Sequence, residues 1–230
     1  MSASASATRQ AIEHWNKTPL FLAEEERYSV YPWLYEAAEF RHHRGERVLE
    51  IGCGTGADLL QFAKQGAVAT GIDITPEHLR LSRERVGNKA QVLYADATNI
   101  PLKTASFDYV YSHGVLHHID RPRQVVQEIF RLLRPGGRFN IHVYAYWSFA
   151  HLNYRLKFGR GWKLNIENSR DPVHLDLYTG LQLRKLFAPA RITLEKYEFN
   201  HWQALGRWIG WFLVVKGTAN TLAVKAPGDR

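Results

Sequence analysis

Residues 48–56 read VLEIGCGTG, an apolar run that closes on glycines at 52, 54 and 56. Val, Leu and Ile in that density are strand material, and the next residues, ADLLQFAKQ, have a helical pattern. A chain that passes from strand to helix through alternate glycines turns tightly and leaves its backbone open to a ligand. An α/β sheet with its binding crevice at the strands' C-terminal ends meets that requirement.

The rest of the chain carries the matching pattern. Short apolar or β-branched runs at 47–51, 67–74, 90–95, 107–112 and 138–145 predict strands, with helices over ADLLQFAKQ, PEHLRLSRERV and RPRQVVQEIFRLLR between them. Strands alternating with helices predict a parallel sheet covered on both faces. Thr75-Pro76 predicts a helix start, and Pro135-Gly136-Gly137 a stop after Arg134. Thr179 and Gln182 form a capping-box pattern ahead of LQLRKLF. Two further strands are expected at 191–199 and 208–217. The expected organisation is a tail and helical cap at 1–40, a ligand-binding core at 41–145, an insertion at 146–178 and the last part of the fold at 179–230. The opening MSASASATRQ has the low complexity of a disordered tail.

The acids around the glycine loop narrow the ligand. Asp73 ends the second strand 19 residues after Gly54, where a doubly wound fold sets a carboxylate against ribose hydroxyls. A diphosphate loop reads G-x-G-x-x-G, whereas this one reads Gly52-x-Gly54-x-Gly56 with Glu50 just before it. A carboxylate repels a diphosphate and attracts an ammonium or sulfonium. Asp96, in YADA at 94–97, is placed to accept from an adenine amino group. A ligand with ribose, adenine and a positive centre but no phosphate is S-adenosylmethionine.

With VLEIGCGTG, GIDIT, YADAT, SFDYVYS, GVLHHI and EIFRLLRPGG in order, the stretch from about Arg47 to Tyr146 resembles class I S-adenosylmethionine-dependent methyltransferases. It is similar to the broad group that includes ubiquinone-biosynthesis and small-molecule methyltransferases. The resemblance implies a doubly wound, Rossmann-like α/β fold with a seven-stranded sheet whose last strand, LVVKG, is antiparallel. The residue pattern of the flanks adds an N-terminal helical cap, from two helical segments in 9–40, and an insertion after the fifth strand. Cofactor contacts are expected from Glu50, Gly52, Gly54, Gly56, Asp73, Ile74, Asp96, Ala97 and His113.

Methyl transfer to oxygen or nitrogen gains from a base that takes the acceptor's proton, and histidine titrates in the right range. His118 and His142 are the catalytic candidates; His117, Tyr144, Tyr28, Trp33 and His174 are candidates for holding the substrate. Trp15, Tyr28, Tyr31 and Trp33 on one side, with Tyr146, Trp147, Phe149, Tyr154 and Trp162 on the other, are expected to form a lid. Arg155, Lys157 and Arg170 are available for an anionic group. His201 is a further histidine of the variable region. No metal site is expected.

The expected substrate is a small molecule, aromatic or anionic, methylated at O or N and less readily at C. RNA methylation is the alternative, because from residue 151 onward 13 Lys/Arg stand against 6 Asp/Glu in a chain of net charge +8. A non-catalytic partner subunit is the other. Cys53 is the only cysteine and lies in the glycine loop, which argues against cysteine-dependent methylation of pyrimidine C5. SerHisGlyVal at 112–115 replaces the Asn/Asp-Pro-Pro-aromatic clamp of base-amino methylation. One cysteine and no run of about 18 apolar residues lead to the expectation of a cytoplasmic protein without a membrane span.

Overall fold

A computed structural model describes residues 3–17, 24–159, 174–197 and 210–219. Three helices come first: α1 (Ala3–Lys17), α2 (Glu24–Val30) and the single turn α3 (Leu34–Ala37). Then β1 (Arg47–Ile51), α4 (Ala57–Lys64), β2 (Val68–Asp73), α5 (Pro76–Val86), β3 (Gln91–Tyr94), β4 (Phe107–His113), α6 (Pro122–Leu132) and β5 (Leu133–Tyr144) alternate. The chain ends on α7 (Phe149–Phe158), α8 (Gly180–Leu186), β6 (Ile192–Tyr197) and β7 (Phe212–Thr218).

The seven strands lie in the order β3-β2-β1-β4-β5-β7-β6. β1 to β5 are parallel, and β7 slots between β5 and β6 antiparallel to both. This is the doubly wound sheet that the resemblance implies, with its order reversing between β1 and β4. That reversal opens the crevice in which such sheets bind ligands.

Both faces of the sheet are dry. One core joins Leu49, Ile51, Val110, Ile129, Phe139 and Phe187; the other joins Val48, Leu59, Phe62, Tyr109, Tyr111 and Val214. Strands covered on both sides read as continuous apolar runs, as β1 and β4 do. Phe187, fully buried at the end of α8, stacks on Phe139 of β5 with ring centres 5.1 Å apart. The Thr179–Gln182 capping box is present at the start of α8.

Two readings change. The helix before Pro135 ends at Leu132, and β5 already begins at Leu133. Most of the opening tail is the helix α1, because its alanines favour helix and its C-terminal end is anchored. The Glu77 backbone donates to Asn16 at 3.1 Å, and Trp15 lies 6.2 Å from His78. His117 and His118 follow β4 on a 3-10 turn, Leu116–His118.

Phe187→Ala is expected to cost about 3–5 kcal/mol, read as an earlier urea midpoint at unchanged slope.

Candidate functional site

The crevice where the sheet order reverses holds a cavity of about 240 Å³. Its floor is the glycine loop, with Glu50, Gly52, Gly54, Asp73, Ile74, Asp96 and Ala97 on the wall. Gly54 has φ +51° and nothing within 4 Å of where a Cβ would stand, so a ligand can approach its backbone. Gly56 is not on the wall: a Cβ there would lie 2.5 Å from Ser82 Oγ, so this glycine lets α5 pack against the loop. Its expected cofactor contact is corrected to a packing role.

Asp73 caps the loop that surrounds it. One carboxylate oxygen accepts from the Gly54 backbone at 2.9 Å, the other from Thr75 at 2.8 Å, and His78 Nδ1 lies 3.5 Å away. Burial raises its pKa, but hydrogen bonds and charge from His78, with the two backbone donors, hold it below the usual value. Asp96 likewise accepts from Thr98, through the backbone at 2.8 Å and the hydroxyl at 2.7 Å.

Glu50 is different. It is almost fully buried, and its Oε2 has no partner. Burial raises its pKa well above normal, and the neighbouring Asp58 and Asp73 charges add to the effect despite Arg27. A buried orphan oxygen on a cavity wall calls for a donor, and a cationic ligand beside it would favour the charged form that burial disfavours. With the bare backbone of Gly54 beside it, this donor set fits an amino acid-bearing, positively charged nucleoside.

Beside it lies an ion pair that the sequence reading missed. Asp58, at the start of α4, accepts from Arg27 Nε and Nη2 at 2.7 Å each, and from the Tyr28 and Tyr111 hydroxyls at 3.0 Å each. Burial opposes its charge, but Arg27 and the two hydroxyls outweigh it, so Asp58 titrates below the usual range. Arg27 and Asp58 both line the cavity, whereas Tyr28 faces Asp58 and does not.

The histidines divide. His113 and His118 line the cavity with Tyr144 and Phe212. His118 Nδ1 lies 2.9 Å from the carbonyl oxygen of His174, which can only accept, so Nδ1 carries a proton. His174 thus acts through its backbone, and its ring pairs with Asp176 at 3.2 Å instead of meeting the cavity. His117 is fully buried, stacked on Tyr144 at 3.9 Å, and is no wall residue. His142, expected in the pocket, is also fully buried; it lies behind His113, Nδ1 to Nδ1 at 2.9 Å. β4 ends at His113, so that ring reaches the crevice, whereas β5 runs on to Tyr144 and keeps His142 inside.

The lid is half as expected. Trp15 and Tyr31 line the cavity; Trp33 instead stacks on Tyr197 at 4.6 Å. Tyr146, Trp147, Phe149 and Tyr154 do not line it, and Trp147 and Phe149 are 68% and 63% exposed. Arg155 and Lys157 are also off the wall, and the cavity's guanidinium groups are Arg27 and Arg121. Trp162, Arg170 and His201 lie outside the described residues.

A doubly wound sheet with an inserted antiparallel strand and a glycine loop between two acids defines the class I methyltransferase fold. Residues 49–141 match the family model of the methyltransferase domain; that segment is an S-adenosylmethionine-dependent methyltransferase domain, and S-adenosylmethionine is its cofactor. The chain is similar to the 27-O-demethylrifamycin SV methyltransferase of Amycolatopsis mediterranei (strain S699), 37% identical over 100 residues that cover 41% of this chain and 37% of that one. It is also similar to the demethylmenaquinone methyltransferase of Clavibacter sepedonicus, 34% identical over 99 residues, 42% of this chain and 40% of that one. The matched part thus spans less than half the length of either relative. Among solved structures, the Burkholderia thailandensis 1,6-didemethyltoxoflavin-N1-methyltransferase, with 1,6-didemethyltoxoflavin and S-adenosylhomocysteine bound, aligns over 96% of this chain and 92% of its own. The TM-score is 0.65 at 19% identity; that likeness speaks to the fold.

Two outcomes are expected. Arg27→Met leaves a buried Asp58 without its cation and should cost about 3–5 kcal/mol, measured by urea unfolding. His142 is held by burial at a pKa of about 3, against 6.5 when exposed. The unfolded ring therefore takes its proton first as pH falls. Stability should be flat with respect to this group above pH 6.5 and drop by up to about 1.4 kcal/mol per unit below it. His142→Phe should make the loss between pH 7 and 5.5 shallower.

Proposed function

We propose that this protein transfers the methyl group of S-adenosylmethionine to an oxygen or nitrogen of a small acceptor, with carbon a less favoured target. The observation that carries the reading is one continuous cavity that joins the glycine loop, Asp73 and Asp96 to a wall of Tyr144, Phe212, His113 and His118. The bound cofactor supplies a methyl carbon already activated on a sulfonium.

The protein's work is then alignment and exclusion of water. Asp73 and Asp96 suit the ribose and adenine ends, and the unpartnered Glu50 oxygen suits a cationic donor. Tyr144 and Phe212, with ring centres 5.1 Å apart, give a planar or apolar acceptor a surface to lie on. Trp15, whose ring lies 5.4 Å from His118, closes the mouth from α1. His118 and His113 supply nitrogen to hold an O–H or N–H. Among the described residues no helix is long and apolar enough to cross a membrane. The buried, unpaired Cys53 suits a reducing cytoplasm.

Methyl-labelled S-adenosylmethionine added with the protein to a cell extract tests the reading, with Asp73→Ala as the blank. Label is expected among small molecules; label in RNA or lipid, or none above the blank, overturns it. Asp73→Ala should weaken cofactor binding by about 10–100-fold in calorimetry, and unchanged affinity would remove Asp73 from the ribose site.

A further inference from the structure

A chain of hydrogen bonds behind the cavity fixes which nitrogen of His113 carries a proton. It starts at the carbonyl oxygen of Ala37, at the end of α3, which lies 2.6 Å from the side-chain nitrogen of Asn140. A carbonyl only accepts, so the Asn140 amide must turn its NH2 to Ala37 and its oxygen to the other side. That oxygen lies 2.9 Å from His142 Nε2, which must therefore donate and hold the proton of its ring. A neutral histidine has one proton, so His142 Nδ1 is an acceptor. Its partner at 2.9 Å is His113 Nδ1, which then must donate. The lone pair of His113 is left on Nε2.

The surroundings keep both rings neutral. Burial depresses His142, and burial followed by the Arg27 charge depresses His113. Phe212 stacks on His113 at 5.0 Å, and Tyr31 meets it edge-on at 5.6 Å, so the ring has little freedom to turn over. Among the described residues Nε2 has no hydrogen-bond partner, and the ring is part-exposed on the cavity wall. An edge that presents one fixed lone pair accepts a proton donor and repels a carboxylate or carbonyl.

We infer that His113 Nε2 is the proton acceptor for the methyl-accepting group, with His142 and Asn140 as positioning residues that fix its tautomer. This rests on the methyl-transfer reading and narrows its substrate to a phenol, alcohol or amine with a hydrogen to give up. The acceptor's O–H or N–H bond breaks, its electron pair stays on the acceptor atom and an acceptor pair bonds the methyl carbon; the carbon's bond to the sulfonium sulfur breaks with its pair left on sulfur, and the proton goes to Nε2, which makes the ring an imidazolium. A low proton affinity then returns the proton to water once the product has left. Topology favours His113 over His118: β4, which His113 ends, is paired directly with β1, whose end is the glycine loop. His118 lies beyond the strand, on the following 3-10 turn.

The test reads the nitrogen itself. In wild-type protein labelled with ¹⁵N-histidine, long-range ¹H–¹⁵N spectra should show His113 protonated at Nδ1 and bare at Nε2, the signal being assigned by its loss in His113→Phe. A proton on Nε2 overturns the inference. With S-adenosylhomocysteine bound, phenol should shift the Nε2 signal and toluene should not. A shift caused by S-adenosylhomocysteine alone makes the ring a cofactor ligand and overturns it; so does phenol that perturbs Tyr144 or Phe212 without moving Nε2. Asn140→Leu should give a mixture of His113 tautomers, which a merely structural asparagine would not. His113→Phe should cut label incorporation from the extract about 100-fold, far more than it weakens S-adenosylhomocysteine binding; equal losses would leave His113 as the cofactor contact that the resemblance implies and overturn the inference. The spectra and calorimetry need no turnover, so failure of this assignment is separable from failure of the methyl-transfer reading.

Discussion

The Asp58 carboxylate holds the site together. It lies in the first turn of α4, where the helix dipole favours a negative charge, and four donors from two elements converge on it: two from Arg27, one each from Tyr28 and Tyr111. Arg27 and Tyr28 come from the N-terminal cap, and Tyr111 from β4. An ion pair this buried adds little net stability compared with an apolar contact, but it tolerates only one arrangement of its members. The cap is therefore set on the sheet by a polar requirement. Trp33, Leu34 and Phe40 then bury the remaining apolar surface against the same core. Without that seating the crevice would lack its Arg27 and Tyr31 wall.

Two neighbouring carboxyl groups show how position decides charge. Asp58 has four donors and is ionised; Glu50, equally buried, has an oxygen with none and is pushed toward the neutral acid. The first is complete within the chain, while the second is completed only by a donor from outside it. A fold can thus reserve a place for a cationic ligand by leaving one buried acceptor short of a partner.

What the sequence made legible is what one strand and its following turn determine. Glu50, Gly52, Gly54, Asp73, Ile74, Asp96 and Ala97 all lie within a few residues of a strand end, so the alternating pattern was enough to bring them to one edge. Gly56 was misread because its neighbour is Ser82 on α5, a contact between two helices that no local pattern carries. Arg27 and Asp58 are 31 residues apart, and nothing in either segment names the other. The histidines show a finer limit. His142 and Tyr144 are two apart on β5 and so share a face, but depth decides function. His142 pairs in register with His113, the last residue of β4, and two more residues of β5 cover it. The length of a neighbouring strand is invisible from β5 alone.

The Asn140 side chain that caps the end of α3 has one further consequence. Ala37 belongs to the N-terminal cap, while Asn140, His142 and His113 belong to the sheet, so the placement of one backbone carbonyl and the location of one proton are parts of the same equilibrium. Whatever draws the cap away from the sheet also releases the amide, and with it the constraint on both rings. By reciprocity, a ligand that prefers one proton arrangement at His113 must pull the cap toward the sheet by the same free energy. The cavity thereby senses the chemistry of its occupant as a mechanical load on its own cover.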